Sequence, residues 1–121
     1  DEIKIPAHEL DIFRDFSRLL EVHFREKHNV ADYAEMLHLS PKTLTHKFKN
    51  LNLESPNQFI ISRILLEAKR LLFYTEKTVK EIAYDLGYED PAYFNRLFSQ
   101  KTGSTPAHFK KNYNSGKKYN S

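Results

Sequence analysis

A duplication at an offset of fifty residues constrains this 121-residue chain more than any other feature. Ser40-Pro41 recurs as Asp90-Pro91, Leu44 as Phe94, Phe48 as Phe98, Ser55-Pro56 as Thr105-Pro106 and Phe59 as Phe109. Ahead of each copy, displaced by one residue, Val30, Ala34 and Leu37 recur as Val79, Ala83 and Leu86. Four of the five prolines therefore fall into matched pairs. Two copies of a short helical unit predict two similar surfaces at a fixed separation, and a periodic polymer is the natural partner for that arrangement. Double-stranded DNA is the first candidate.

The paired prolines also punctuate the fold. Proline at the first helical position gives up no useful donor, and the Ser, Thr or Asp before it can accept a free backbone N–H. Ser40-Pro41, Ser55-Pro56, Asp90-Pro91 and Thr105-Pro106 mark four helix starts on this reading. Asn29 before Val30 marks a fifth, and Thr78 with Glu81 a sixth by the capping-box spacing, which Ser55 and Gln58 repeat. The resulting expectation is seven helices at 6–27, 30–37, 41–50, 56–74, 79–86, 91–101 and 106–113, with no strand-like alternation competing. Leu10, Phe13, Phe16, Leu20 and Phe24 form an amphipathic stripe on the first. The fourth is apolar over a wide face and, at ~1.5 Å per residue, roughly 28 Å long, which suits a connector packed on both halves. Residues 114–121, rich in Asn, Ser, Gly and Lys, read as a frayed tail.

Charge is distributed unevenly. Residues 1–36 hold nine acids and five Lys/Arg, a balance of −4, whereas residues 37–121 hold seven acids and fourteen Lys/Arg, a balance of +7. The basic portion contains both copies, as a polyanion binder requires. With no cysteine, disulfides, thiol nucleophiles and thiolate metal sites are excluded, and a reducing compartment is the simplest setting. No apolar run reaches membrane-spanning length and no signal peptide opens the chain, so a cytoplasmic location with no membrane partner is expected. The absence of an initial Met suggests a fragment of a longer protein.

Within each copy, a short helix with a small central residue, Ala34 or Ala83, precedes a tight turn and a second helix. That is the pattern of a helix-turn-helix. Gly87 sits where a left-handed backbone would close the first helix of the second copy; His38 stands at the matching place in the first, at a strain of about 1 kcal/mol if the geometry is shared. With Leu44 and Phe48 inward, Lys42, Thr43, Thr45, His46 and Lys49 face out; with Phe94, Leu97 and Phe98 inward, Pro91, Ala92, Tyr93, Asn95 and Arg96 do. Arg96 suits guanine O6/N7, Asn95 adenine N6/N7, and Ala92 or a Thr methyl the thymine methyl. Capped helix starts, with Lys49, Lys80 and Lys101, suit phosphates.

The stretches Ala34-Glu35-Met36-Leu37-His38-Leu39-Ser40-Pro41-Lys42-Thr43-Leu44, Glu81 to Phe98, and Lys101-Thr102-Gly103-Ser104-Thr105-Pro106 resemble the DNA-binding domain of AraC/XylS-type transcriptional regulators over about residues 10–113. The resemblance implies an all-α fold of two helix-turn-helix subdomains, a homeodomain-like pair, at 10–55 and 75–113, joined by a linker helix at 56–74. It also implies that residues 1–9 end a linker from an N-terminal domain that holds any effector, and that recognition helices enter successive major-groove segments. RNA polymerase is an expected partner; no cofactor is. The expected base contacts are Lys42, Thr45, His46, Pro91, Ala92, Asn95 and Arg96; the expected phosphate contacts are Ser40, Thr43, Lys49, Lys80, Tyr93 and Lys101. Lys47 departs from the pattern, lying where the second copy has Leu97, so the first recognition helix packs less firmly or turns that lysine to a phosphate. The second motif is expected to carry more of the sequence discrimination and the first mainly affinity.

Other function classes leave weaker traces. The six histidines show no zinc-protease spacing, three glycines form no phosphate loop, and no nucleophile elbow occurs, so catalysis is not expected. Repair enzymes that share this kind of domain use a reactive cysteine, which this chain lacks. A protein-interaction module using the first helix and a non-specific architectural DNA binder are the alternatives.

Overall fold

The prolines and caps act as the sequence predicts. The computed structural model describes residues 7–111, with side chains from Leu10 onward, and all regular structure among them is helical. The helices are α1 (Ala7–His23), α2 (Val30–Met36), α3 (Pro41–Asn50), α4 (Pro56–Tyr74), α5 (Val79–Asp85), α6 (Pro91–Thr102) and α7 over residues 106–111. The chain divides into two compact units, Asp1–Arg63 and Ile64–Ser121, and the division falls inside α4. Helix α1 begins at Ala7, so the last three residues of the expected linker at 1–9 are helical. Pro6, the rest of that linker, the end of the predicted last helix at 112–113 and the tail at 114–121 lie outside the described residues.

In the first unit, Phe16 and Leu20 of α1 and Phe24, just past its end, meet Tyr33, Ala34, Leu44, Phe48 and Ile60 in a buried core. Its centre is aromatic: Phe48 lies 5.7, 5.0 and 5.8 Å from the rings of Phe13, Phe16 and Phe59, all edge-on. Edge-to-face packing sets the positive ring edge against the negative face and adds to area burial. Arg63 at the unit's last residue forks onto Glu21 with two 2.8 Å hydrogen bonds and lies 4.1 Å over Phe24, tying the start of α4 to α1.

The second unit repeats the plan with Ile64, Ala68 and Leu72 of α4 under Ile82, Ala83, Leu86, Phe94 and Phe98, all fully buried. Phe98 stacks edge-on against Phe109 of α7 at 5.6 Å. Lys110 anchors α7, donating to the carbonyls of Thr75 at 3.3 Å and Lys77 at 2.8 Å. Glu67, 4 % exposed, is neutralised by a two-pronged Arg70 contact at 2.6 and 2.8 Å.

Helix α1 ends at His23, four residues short of the predicted 27. Phe24 to Lys27 has no intrinsic helix breaker; a tertiary contact decides the end. The buried Tyr33 hydroxyl donates to the Lys27 carbonyl at 2.7 Å, and the amides of Glu26 and Lys27 both fold back on the His23 carbonyl. Burial pushes the Tyr33 phenol up to about 12, with Asp32 adding to the rise, so the hydroxyl remains a donor throughout the neutral range.

Both helix-turn-helix turns close by the same device. After α2, the Leu39 amide donates to the Ala34 carbonyl at 2.8 Å and the His38 amide to Glu35 at 3.0 Å; after α5, Tyr88 donates to Ala83 at 2.9 Å and Gly87 to Tyr84 at 3.0 Å. This is the Schellman pattern, which requires a left-handed residue at its centre. His38 takes it at φ 58° and Gly87 at φ 85°, as the duplication predicts. The asymmetry extends to the ends of the second helices, where Asn52 has φ 57° and Gly103 φ 79°. The second copy thus has glycine at both left-handed positions and the first has neither. His38→Gly is expected to stabilise the first unit by up to about 1 kcal/mol, because the Cβ clash disappears while the turn is kept. Chemical denaturation checks this; unchanged or lowered stability would show that the histidine ring contributes more than its backbone costs.

Candidate nucleic-acid interface

Helices α2 and α3, and α5 and α6, pack against each other within their units, each pair burying an alanine, Ala34 or Ala83, and the second helix of each pair keeps an outer face in solvent. Leu44 and Phe48 point into the first unit at 0 % exposure; Lys42, Thr43, Thr45, His46 and Lys49 are all exposed. Phe94 and Phe98 are likewise fully buried, while Ala92, Asn95 and Arg96 are exposed and Pro91 is half-buried. Apart from Pro91, expected outward, and Leu97, expected inward, which are both half-buried, the exposed and buried residues are those the helical period predicts. Among the described residues, no hydrogen bond or ion pair engages the side chains of Lys42, Thr45, His46, Asn95 or Arg96.

Capping aims the starts of these helices. Ser40 Oγ accepts the Thr43 N–H at 3.1 Å and donates its own proton to Thr43 Oγ1 at 2.8 Å. Both hydroxyls of that expected phosphate pair are thus linked to each other. Asp90 accepts the Ala92 N–H at 3.0 Å in the matching place. Of the other expected phosphate contacts, Lys49 and Lys101 are exposed, Lys80 is exposed with its ammonium 6.0 Å over the Tyr84 ring, and Tyr93 is 52 % exposed with its ring against Tyr88 at 5.7 Å. Lys47 and Leu97 are both half-buried, so the departure between copies changes chemistry at the edge of the packed face without changing the degree of burial.

Electrostatics favour an anionic partner. Four of the six acids of the second unit are held in internal roles: Glu81 completes the capping box with Thr78, Asp85 is paired with Lys77, Asp90 caps α6 and Glu67 is held by Arg70, while Glu76 and Glu89 are exposed. Hydrogen bonds from Thr78 hold the Glu81 carboxyl below its usual range. Cations Arg96 and Lys101, by contrast, have no such acidic partner among the described residues. No group of three or more His, Cys, Asp or Glu with metal-binding placement occurs among the described residues. No helix there is long and apolar enough to cross a membrane.

One feature of α6 escaped the sequence reading. An open concavity of about 390 Å³ is lined by Ala92, Asn95, Arg96, Ser99, Gln100 and Thr105. Ser99 and Gln100 were accessible to periodicity, since they follow Asn95 and Arg96 by one turn; Thr105 comes from the next segment and only the tertiary fold brings it there.

A family model described as a helix-turn-helix domain matches residues 33–112. The chain is 30% identical over 111 residues to the uncharacterized HTH-type transcriptional regulator YisR of Bacillus subtilis, covering 92% of this chain and 39% of that protein. It is 31% identical over 108 residues to the bifunctional transcriptional activator/DNA repair enzyme AdaA of the same organism, covering 88% and 50%. Among solved structures, the DNA-binding domain of AdpA, a global transcriptional factor, in complex with a target DNA aligns with a TM-score of 0.74 at 28% identity, covering 86% of this chain and 93% of that one. The chain therefore spans half or less of the length of these two curated relatives.

Proposed function

Because the chain belongs to the AraC-type helix-turn-helix family, we propose that it binds double-stranded DNA in a sequence-specific manner as the DNA-binding part of a bacterial transcription regulator. Helices α3 and α6 are the reading helices, one per unit. The observation that carries this reading is the exposed, unpaired set Lys42, Thr45, His46, Ala92, Asn95 and Arg96, presented opposite the buried Leu44/Phe48 and Phe94/Phe98 faces. Lys49, Lys80, Tyr93 and Lys101 flank the reading face as phosphate contacts, with Ser40 and Thr43 joining through the capped start of α3. Base contacts set sequence preference and phosphate contacts set register and much of the affinity. Pro91, half-buried, is left with an edge contact at most.

The rival interaction-module reading loses most of its surface, because Phe16, Leu20 and Phe24 of the predicted stripe are inside the first unit, leaving Leu10 exposed and Phe13 half-buried. A relative that also repairs DNA raises the question of catalysis; this chain has no cysteine to serve as an alkyl acceptor, and binding alone accounts for its outward residues. Contact with RNA polymerase, an effector held by a further domain and residence in the cytoplasm extend the same proposal to a regulator of the length of these relatives.

Selection of bound duplexes from a random pool tests the proposal. A defined preferred sequence is expected, with scrambled duplexes competing poorly. Arg96→Ala is expected to weaken binding to that sequence by about 1–3 kcal/mol and to relax selectivity at one base pair. An equal loss on every duplex would reassign Arg96 to the phosphate backbone, and a pool that shows no preference would leave only architectural binding.

A further inference from the structure

The α6 concavity extends beyond the residues that helical reading assigns to DNA. Its α6 wall consists of Ala92, Asn95, Arg96, Ser99 and Gln100, spaced at i, i+3, i+4, i+7 and i+8, which is one continuous face of the helix. Ser99 is engaged locally, its Oγ donating to the Asn95 carbonyl at 2.7 Å. Gln100 is exposed, and among the described residues no hydrogen bond engages its carboxamide. On this face the polar groups left for a ligand are therefore Asn95, Arg96 and Gln100.

In the last turn of this face Ser99 is short and its hydroxyl is already engaged, so Gln100, shorter than Arg96 but longer than Asn95, is the side chain there that can reach outward. Gln100 lies four residues beyond Arg96, roughly 6 Å along the axis at ~1.5 Å per residue. An offset of that size separates the base edge within reach of Gln100 from the one within reach of Arg96. Its carboxamide also has the donor and acceptor that pair with adenine N6/N7 in the major groove.

We propose that Gln100 is a base-reading, specificity-determining residue, addressing an adenine at a different base pair from the one read by Arg96. The inference rests on the DNA-binding reading of α6. In the first copy the position fifty residues earlier is Asn50, also a carboxamide but one methylene shorter and the last residue of α3. The longer α6, which runs to Thr102, carries Gln100 two residues inside its end.

The test compares the sequence preferences of the wild-type chain, Gln100→Ala, Gln100→Glu and Arg96→Ala, each selected from random duplexes and titrated on the wild-type site. Gln100→Ala is expected to lose roughly tenfold on that site and to become indifferent at a single base pair, distinct from the one relaxed by Arg96→Ala. Gln100→Glu is expected to move the preference at that pair toward cytosine, whose N4 amine donates to a carboxylate. Because Gln100 is exposed, unchanged circular dichroism and melting would confirm that folding is intact. If Gln100→Ala loses affinity equally on all duplexes, or its preferences superimpose on the wild-type profile while Arg96→Ala changes them, the assignment is overturned and the DNA-binding reading stands. Absence of any preference in the wild-type chain would instead overturn that underlying reading.

Discussion

Phe48→Ala is expected to remove about 3–5 kcal/mol of stability from the first unit, the range for truncating a fully buried phenylalanine. Phe48 is 0 % exposed and borders three other rings, Phe13, Phe16 and Phe59, at centroid distances of 5.0 to 5.8 Å. Alanine there forfeits the transfer free energy of the ring, the edge-to-face contacts and the packing of α3 against α1 and α4. Those helices cannot collapse easily into the void, since α3 is held at its start by the Ser40 cap and at its end by the left-handed Asn52. Hydrogen exchange gives the readout, because it separates the two units: protection in α1–α3 should fall far more than in α6. A loss below about 1 kcal/mol would mean that the aromatic centre rearranges and does not organise the unit. Phe48→Leu, which keeps most of the volume, should recover much of the loss.

The same residues explain what was legible in the sequence. Helices α3 and α4 begin and end where predicted because each boundary is local: a capping hydroxyl with proline at the start, and for α3 a left-handed residue just past the end. The left-handed backbone at His38 was legible only through comparison with Gly87, since a histidine by itself does not signal a turn. Asn52 and Gly103 carried the same information and went unread. The end of α1 was not legible, because it depends on a hydrogen bond from Tyr33, six residues past the carbonyl it holds. At the candidate interface, exposure followed from the 3.6-residue period once Phe48 and Phe98 were placed inside. The concavity did not follow, because Thr105 reaches it through tertiary folding alone. Local rules thus specify which faces are wet, and tertiary packing specifies that Thr105 borders the concavity beside α6.

Raising monovalent salt from 50 to 200 mM is expected to weaken binding to the selected duplex by roughly 40-fold, if three phosphates are neutralised at a slope of about −0.9 per contact. The three cations are Lys49, Lys80 and Lys101, all exposed on the basic part of the chain. Each neutralised phosphate releases condensed counterions, so the gain in entropy shrinks as bulk salt rises. Replacing all three lysines by glutamine should flatten the slope by nearly three units while leaving the selected sequence unchanged, because phosphate contacts carry no sequence information. Arg96→Ala should do the reverse, altering the selected sequence with a smaller effect on slope. A protein partner docked on an apolar helix face would show almost no salt dependence, and a slope near zero would therefore exclude phosphate neutralisation as the source of affinity. If the triple variant instead kept the full slope, the cations responsible would lie elsewhere, with Lys42 and Lys47 of α3 the next to test.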